Sequence, residues 1–113
     1  MITLEDLRLF GADIDKGLAV CMGNEELYLR LVNTVPSEER FEELSDAIEA
    51  ENLDAAFEAA HALKGVLGNL SLTPLVEKVS EITELLRSRK DADYKKLVDE
   101  LLRARDDLSE LCK

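Results

Sequence analysis

The chain holds a single histidine, His61, in the run Ala60-His61-Ala62-Leu63-Lys64-Gly65-Val66-Leu67-Gly68-Asn69. At about 100° per residue around a helix, Ala56, Ala60, Leu63, Leu67 and Leu70 gather on one side, with Asp54, Glu58, His61, Gly65 and Gly68 opposite. The pattern predicts a solvent-facing imidazole beside two glycines. A glycine inside a helix loses about 1 kcal/mol relative to alanine, so the pair gives up about 2 kcal/mol of a total stability that is typically 5–15 kcal/mol. Something must favour a bare surface there. A free imidazole titrates near ~6.5, so at neutral pH it is largely neutral and one ring nitrogen is available to attack phosphorus without further activation. By default a surface histidine is an inert, solvated side chain. The stripped neighbourhood argues instead for a nucleophile that a phosphoryl group or a bulky partner must reach.

The neighbours of His61 sort by their distance around the helix. Lys64 lies about 60° away on the same side and can offset the charge of a phosphoryl group on His61; a solvated or acid-paired lysine is the plain alternative. Gly65, one turn on, leaves room beside the ring. Gly68, two turns on, extends the bare strip, although close packing against another helix would explain it equally well. Asn69 falls towards the flank and reads as structural, bonding nearby backbone to hold the helix end. Phe57, one turn before His61, sits at the border of core and solvent; core periphery is the simpler reading, and if partly exposed it would be an apolar anchor for docking. Glu58 shares the histidine strip, where a basic group on a partner would meet it.

The run resembles the histidine phosphotransfer (HPt) family, whose signature is His-x-Leu-Lys-Gly with an Asn four residues later. Here it reads His61-Ala62-Leu63-Lys64-Gly65, then Asn69. The resemblance extends upstream through Gly11-Ala12-Asp13-Ile14, Gly17-Leu18 and Gly23-Asn24-Glu25-Glu26-Leu27-Tyr28, and downstream through Leu72-Thr73-Pro74-Leu75, covering nearly the whole chain. Val66 and Leu67 stand where many members carry Ser or Ala, and Ser71 where Gly is common. The resemblance implies a phosphocarrier that takes a phosphoryl group on His61 from a receiver-domain aspartate and passes it to another receiver, with Lys64 and Gly65 in support. It implies receivers as partners, with a hybrid sensor histidine kinase as a further one. Because receivers bring the aspartate and the magnesium ion, no cofactor of its own is expected.

Composition narrows the alternatives. At 113 residues the chain has the length of one domain, 1–113, that can bury a single core without cross-links. It is 35% charged and 46% hydrophobic, with few aromatics, which suits a helical bundle. A net charge of −11 repels nucleic-acid backbones and anionic lipid surfaces. No apolar run approaches the roughly 20 residues of a membrane span, and the N-terminus lacks signal-peptide character, so the expected location is the cytoplasm. Cys21 and Cys112 show no paired-ligand spacing and read as free thiols. No Gly-x-x-x-x-Gly-Lys-Ser/Thr loop is present, so the chain is not expected to be an enzyme that phosphorylates itself from ATP.

The elements that must position His61 follow from apolar spacing and helix punctuation. Leu4, Leu7 and Phe10 predict a short helix stopped by Gly11. Ile14, Leu18 and Cys21 predict a second, behind an Asp13 cap and ending at Gly23. Asn24 caps a third that buries Leu27, Tyr28, Leu31, Val32 and Val35 up to a break at Pro36. Ser37 restarts a helix with Phe41, Leu44 and Ile48 inward, and Asn52 caps the histidine helix, which runs to about Leu70. Thr73 as cap with Pro74 at the first helical position opens the next, with Leu75, Val79, Ile82 and Leu86 inward. Asp91 or Asp93 starts the last, whose stripe is Leu97, Leu101, Ala104, Leu108 and Leu111. The expected fold is all-α, an antiparallel up-and-down four-helix bundle with short N-terminal helices against it.

Two other functions fit parts of the sequence. Glu58-x-x-His61 has the spacing of a di-iron bundle ligand pair, but that site needs two such pairs and two more glutamates, and one histidine cannot complete it within one chain. A non-catalytic helical adaptor would bind partners through the acidic surface alone.

Overall fold

Helices form close to where the punctuation places them, with some of their ends displaced. A computed structural model of the chain describes residues 2–113. Helix α1 spans Leu4–Phe10, α2 Ile14–Val20, α3 Glu25–Thr34, α4 Glu39–Glu49, α5 Leu53–Asn69, α6 Thr73–Arg87 and α7 Tyr94–Leu111, and there is no strand among the described residues. Asp13, Asn24, Asn52 and Asp93 each accept the backbone N–H of the third residue on, satisfying a donor that has no intrahelical partner. Thr3 and Asp6 cap α1 reciprocally. The chain breaks at Pro36 as a 3₁₀ turn over Val35–Ser37, and α4 begins behind Glu38 rather than at Ser37.

Three expectations need correction. Leu27 and Leu31 stay 37% and 39% exposed, because α3 buries only the stripe of Tyr28 and Val32 and then turns away at Val35. Thr73 does not cap α6; the cap residue is Leu72, and the Thr73 hydroxyl donates instead to the Ser71 carbonyl at 3.4 Å. Helix α2 ends at Val20, before Gly23.

Helices α4 to α7 form the main body. Helix α4 packs on α5, α5 on α6, α6 on α7, and α7 returns against α4. Their inward stripes, including Phe41, Leu44, Leu63, Leu67, Leu75, Ile82, Leu86 and Leu101, are fully buried. The buried Thr83 donates its hydroxyl to the Val79 carbonyl one turn back at 2.7 Å. Both cysteines are free.

The N-terminal helices clamp the corner between α5 and α6. The buried Tyr28 hydroxyl donates to the Leu70 carbonyl at 2.8 Å, and the Asp13 N–H donates to the Ser71 carbonyl at 2.9 Å. That corner has its own stop. Ser71 adopts φ +53°, its N–H donates to the Gly68 carbonyl, and the Leu72 N–H reaches back to the Leu67 carbonyl. Glu51 and Arg89 end α4 and α6 in the same left-handed way. A residue with a Cβ pays about 1–2 kcal/mol for that conformation. Ser71→Gly is therefore expected to stabilise the fold by about 0.5–1 kcal/mol, net of the greater chain entropy of glycine when unfolded. An unchanged or lower denaturation midpoint would show that the Ser71 side chain contributes more than its backbone strain removes.

Candidate functional site

The histidine helix presents two faces, as its spacing requires. Ala56, Ala60, Leu63, Leu67 and Leu70 are buried, while Asp54, Glu58, His61, Gly65 and Gly68 are all exposed. His61 sits near the middle of this 17-residue helix, where every backbone group is held by the helix ladder and the side chain has a rigid base. Among the described residues its imidazole makes no hydrogen bond or ion pair; it stacks on Phe57, with ring centroids 5.7 Å apart and planes inclined by 16°.

The glycines leave open space. A Cβ placed on Gly65 or on Gly68 would meet nothing within 4 Å, so neither glycine exists to admit a neighbouring helix. Packing is ruled out as the reason for Gly68. Lys64 is half-buried and, among the described residues, takes no part in an ion pair or hydrogen bond, so its ammonium is uncommitted there and lies one turn from His61 on the same side. Glu58 is exposed and has no ion-pair partner among the described residues. Beside it, an apolar groove between α4 and α5 is lined by Ala47, Ala50, Ala55 and Ala59.

Phe57 is half-buried, and the guanidinium of Arg87 from α6 lies 5.2 Å from its ring centre. At the start of the strip, Asp54 pairs with Arg89. Arg87 ends α6 and Arg89 lies just beyond it, and nothing local in the sequence connects them to the histidine helix. Asn69 is exposed, and its side chain makes no hydrogen bond among the described residues. The helix end is held by the backbone closure at Ser71 and Leu72, so the structural role expected of Asn69 is not seen.

The arrangement offers a nucleophilic ring on a rigid helix, an uncommitted cation one turn away and a strip without side chains. No group of three or more His, Cys, Asp or Glu side chains among the described residues is arranged to hold a metal ion. No helix among them is long and apolar enough to cross a membrane. No curated protein and no solved structure matches the chain. The model of the Hpt domain matches residues 36–112, which takes in α4 to α7 with the histidine strip, and the chain belongs to that family.

Proposed function

We propose that the chain is a phosphocarrier in a two-component phosphorelay, accepting a phosphoryl group on His61 from the aspartyl phosphate of one receiver domain and delivering it to another. The observation that carries this reading is an exposed, unbonded imidazole beside two glycines that face open space. Membership of the Hpt family supplies the reaction class, histidine phosphotransfer with receiver domains as partners. In the transfer a ring nitrogen forms a bond to phosphorus as the bond from phosphorus to the aspartyl oxygen breaks. The carboxylate leaves as an anion. The reverse step on a second receiver restores the imidazole. Lys64 offsets the charge of the bound phosphoryl group, and Gly65 admits it together with the loops around the receiver aspartate. Phe57, Glu58 and Gly68 contact the receiver, with the alanine groove of α4 and α5 as adjoining apolar surface.

Residues 1–113 act as a single domain in the cytoplasm, with α4 to α7 as an antiparallel up-and-down four-helix bundle and α1 to α3 bracing one end. The chain carries no ATP-dependent kinase activity, and the receivers bring the metal. Incubation with a phosphorylated receiver is the test. Labelled phosphate should appear on the wild-type chain as an adduct labile in acid and stable in base, as a phosphorus–nitrogen bond on imidazole requires. If receivers bind without any transfer, the adaptor reading replaces this one.

Gly65 offers a separate check on access. Gly65→Gln is expected to raise helix stability by up to about 1 kcal/mol, because the new side chain enters empty space. Transfer from a receiver should nevertheless slow by roughly 100-fold, since a misplacement of about 1 Å at the reacting atoms has an effect of that order. Transfer at the wild-type rate in a stabilised variant would remove the steric argument.

A further inference from the structure

The imidazole of His61 lies against one aromatic neighbour. Phe57 lies one turn earlier on α5 and stacks on it with 16° between the ring planes. Arg87, the last residue of α6, holds its guanidinium carbon 5.2 Å from the centre of the Phe57 ring, while its Nε is 3.4 Å from Glu84 Oε1. Glu84, Arg87, Phe57 and His61 thus form a continuous chain of contacts from one helix to the next. We propose that Phe57 and Arg87 are positioning residues for phosphoryl acceptance, with Arg87 steadying Phe57 and Phe57 fixing the plane of the imidazole. The inference rests on the phosphocarrier reading of His61.

The geometry suits the chemistry. The lone pair of the attacking nitrogen lies in the ring plane, so phosphorus must approach within that plane. A near-parallel ring with its centroid 5.7 Å away biases the plane of the imidazole without occupying the in-plane direction of the attack. Ordering a side-chain torsion before the encounter lowers the entropy lost on reaching the reactive arrangement, and a stacked ring pair and a cation over an aromatic face supply the modest energies needed to hold it. Arg87 in turn pairs with Glu84 at the surface, a contact that adds little energy by itself.

The experiment uses potassium phosphoramidate, a donor too small to use a docking surface; its phosphorus–nitrogen bond breaks with loss of ammonia as the bond to His61 forms. Intact-mass analysis should show the rate falling about three- to tenfold in Phe57→Leu and about two- to threefold in Arg87→Gln. Phe57→Tyr should restore it to within about twofold. In proton spectra, the ring-current displacement of the His61 ring protons should disappear in Phe57→Leu, and circular dichroism should show the helices intact. Equal phosphoramidate rates in wild type and Phe57→Leu would overturn the proposal, as would a wild-type His61 that the donor does not modify. A Phe57→Leu defect seen only with a phosphorylated receiver, as a raised KM, would make Phe57 a docking anchor and also overturn it. Failure of the phosphocarrier reading looks different: phosphoramidate modifies His61 while no receiver does.

Discussion

His61→Gln is expected to accept no phosphoryl group from a receiver while folding as the wild type does. Glutamine keeps a neutral polar side chain of similar reach and is at least as good a helix former, but the lone pair of its amide nitrogen is delocalised and does not attack phosphorus. The site tolerates the change because the imidazole is exposed and bonds to nothing; its contact is the stack on Phe57. Surface changes of this kind usually stay within about 0.5 kcal/mol, to which loss of the ring stack adds about 0.5–1.5 kcal/mol. Transfer should fall to background with the helical signal intact. Acid and base treatment then identifies any residual label: an acid-stable adduct marks a hydroxyl, and one labile in both acid and base marks a carboxylate. Acid-labile, base-stable label persisting in His61→Gln would overturn the assignment, because the chain has no second histidine.

The face of α5 was legible because its signal is purely local. An imidazole and two glycines recur at helical spacing opposite an unbroken row of alanines and leucines, and one wheel suffices to divide them. The caps at Asp13, Asn24, Asn52 and Asp93 were legible for the same reason, each serving a donor three residues away. The helix stops at Glu51, Ser71 and Arg89 were not, since their left-handed conformations come from backbone closure onto the preceding turn and no glycine advertises them. Leu27 and Leu31 misled because apolar spacing says which residues share a face and not whether another helix covers it. Arg87 lay beyond local reading altogether: its place over Phe57 exists only once α6 is packed on α5.

The site and its brace occupy different parts of the same helix. His61 is nine residues before Leu70, roughly 13 Å along the axis at 1.5 Å per residue, and the contacts of α1 to α3 described above all fall at the Leu70 end. The family match begins at residue 36, so these braces lie outside it. Changes in the brace should therefore alter stability far more than the intrinsic reactivity of His61.

Gly17→Ala supplies the sharpest case. Gly17 lies in α2 and is buried against Tyr28, and a Cβ there would come within 2.5 Å of both Cε1 and Cζ of the Tyr28 ring and 2.6 Å of its hydroxyl oxygen. Real Cβ atoms do not approach so closely, so the ring must move. Tyr28 is completely buried, and its hydroxyl holds the Leu70 carbonyl at the end of α5. Overpacking of this kind costs about 1–3 kcal/mol, and a buried carbonyl left without its donor about 1–3 kcal/mol more. Against that, alanine gains about 1 kcal/mol of helix propensity over glycine. The balance is a loss of about 1–5 kcal/mol, a large share of a typical domain's stability, read as a lower denaturation midpoint. Two controls tie the loss to this contact. Burial pushes the Tyr28 phenol up to about 12, so alkaline titration followed by tyrosinate absorbance should find it moved back towards 10 in Gly17→Ala as the ring is displaced towards water. In a Tyr28→Leu background, where the ring is gone, Gly17→Ala should cost little or even stabilise, giving a coupling energy of about 2 kcal/mol in the double-mutant cycle. An equal loss in both backgrounds would show that the small residue at position 17 serves something other than this ring.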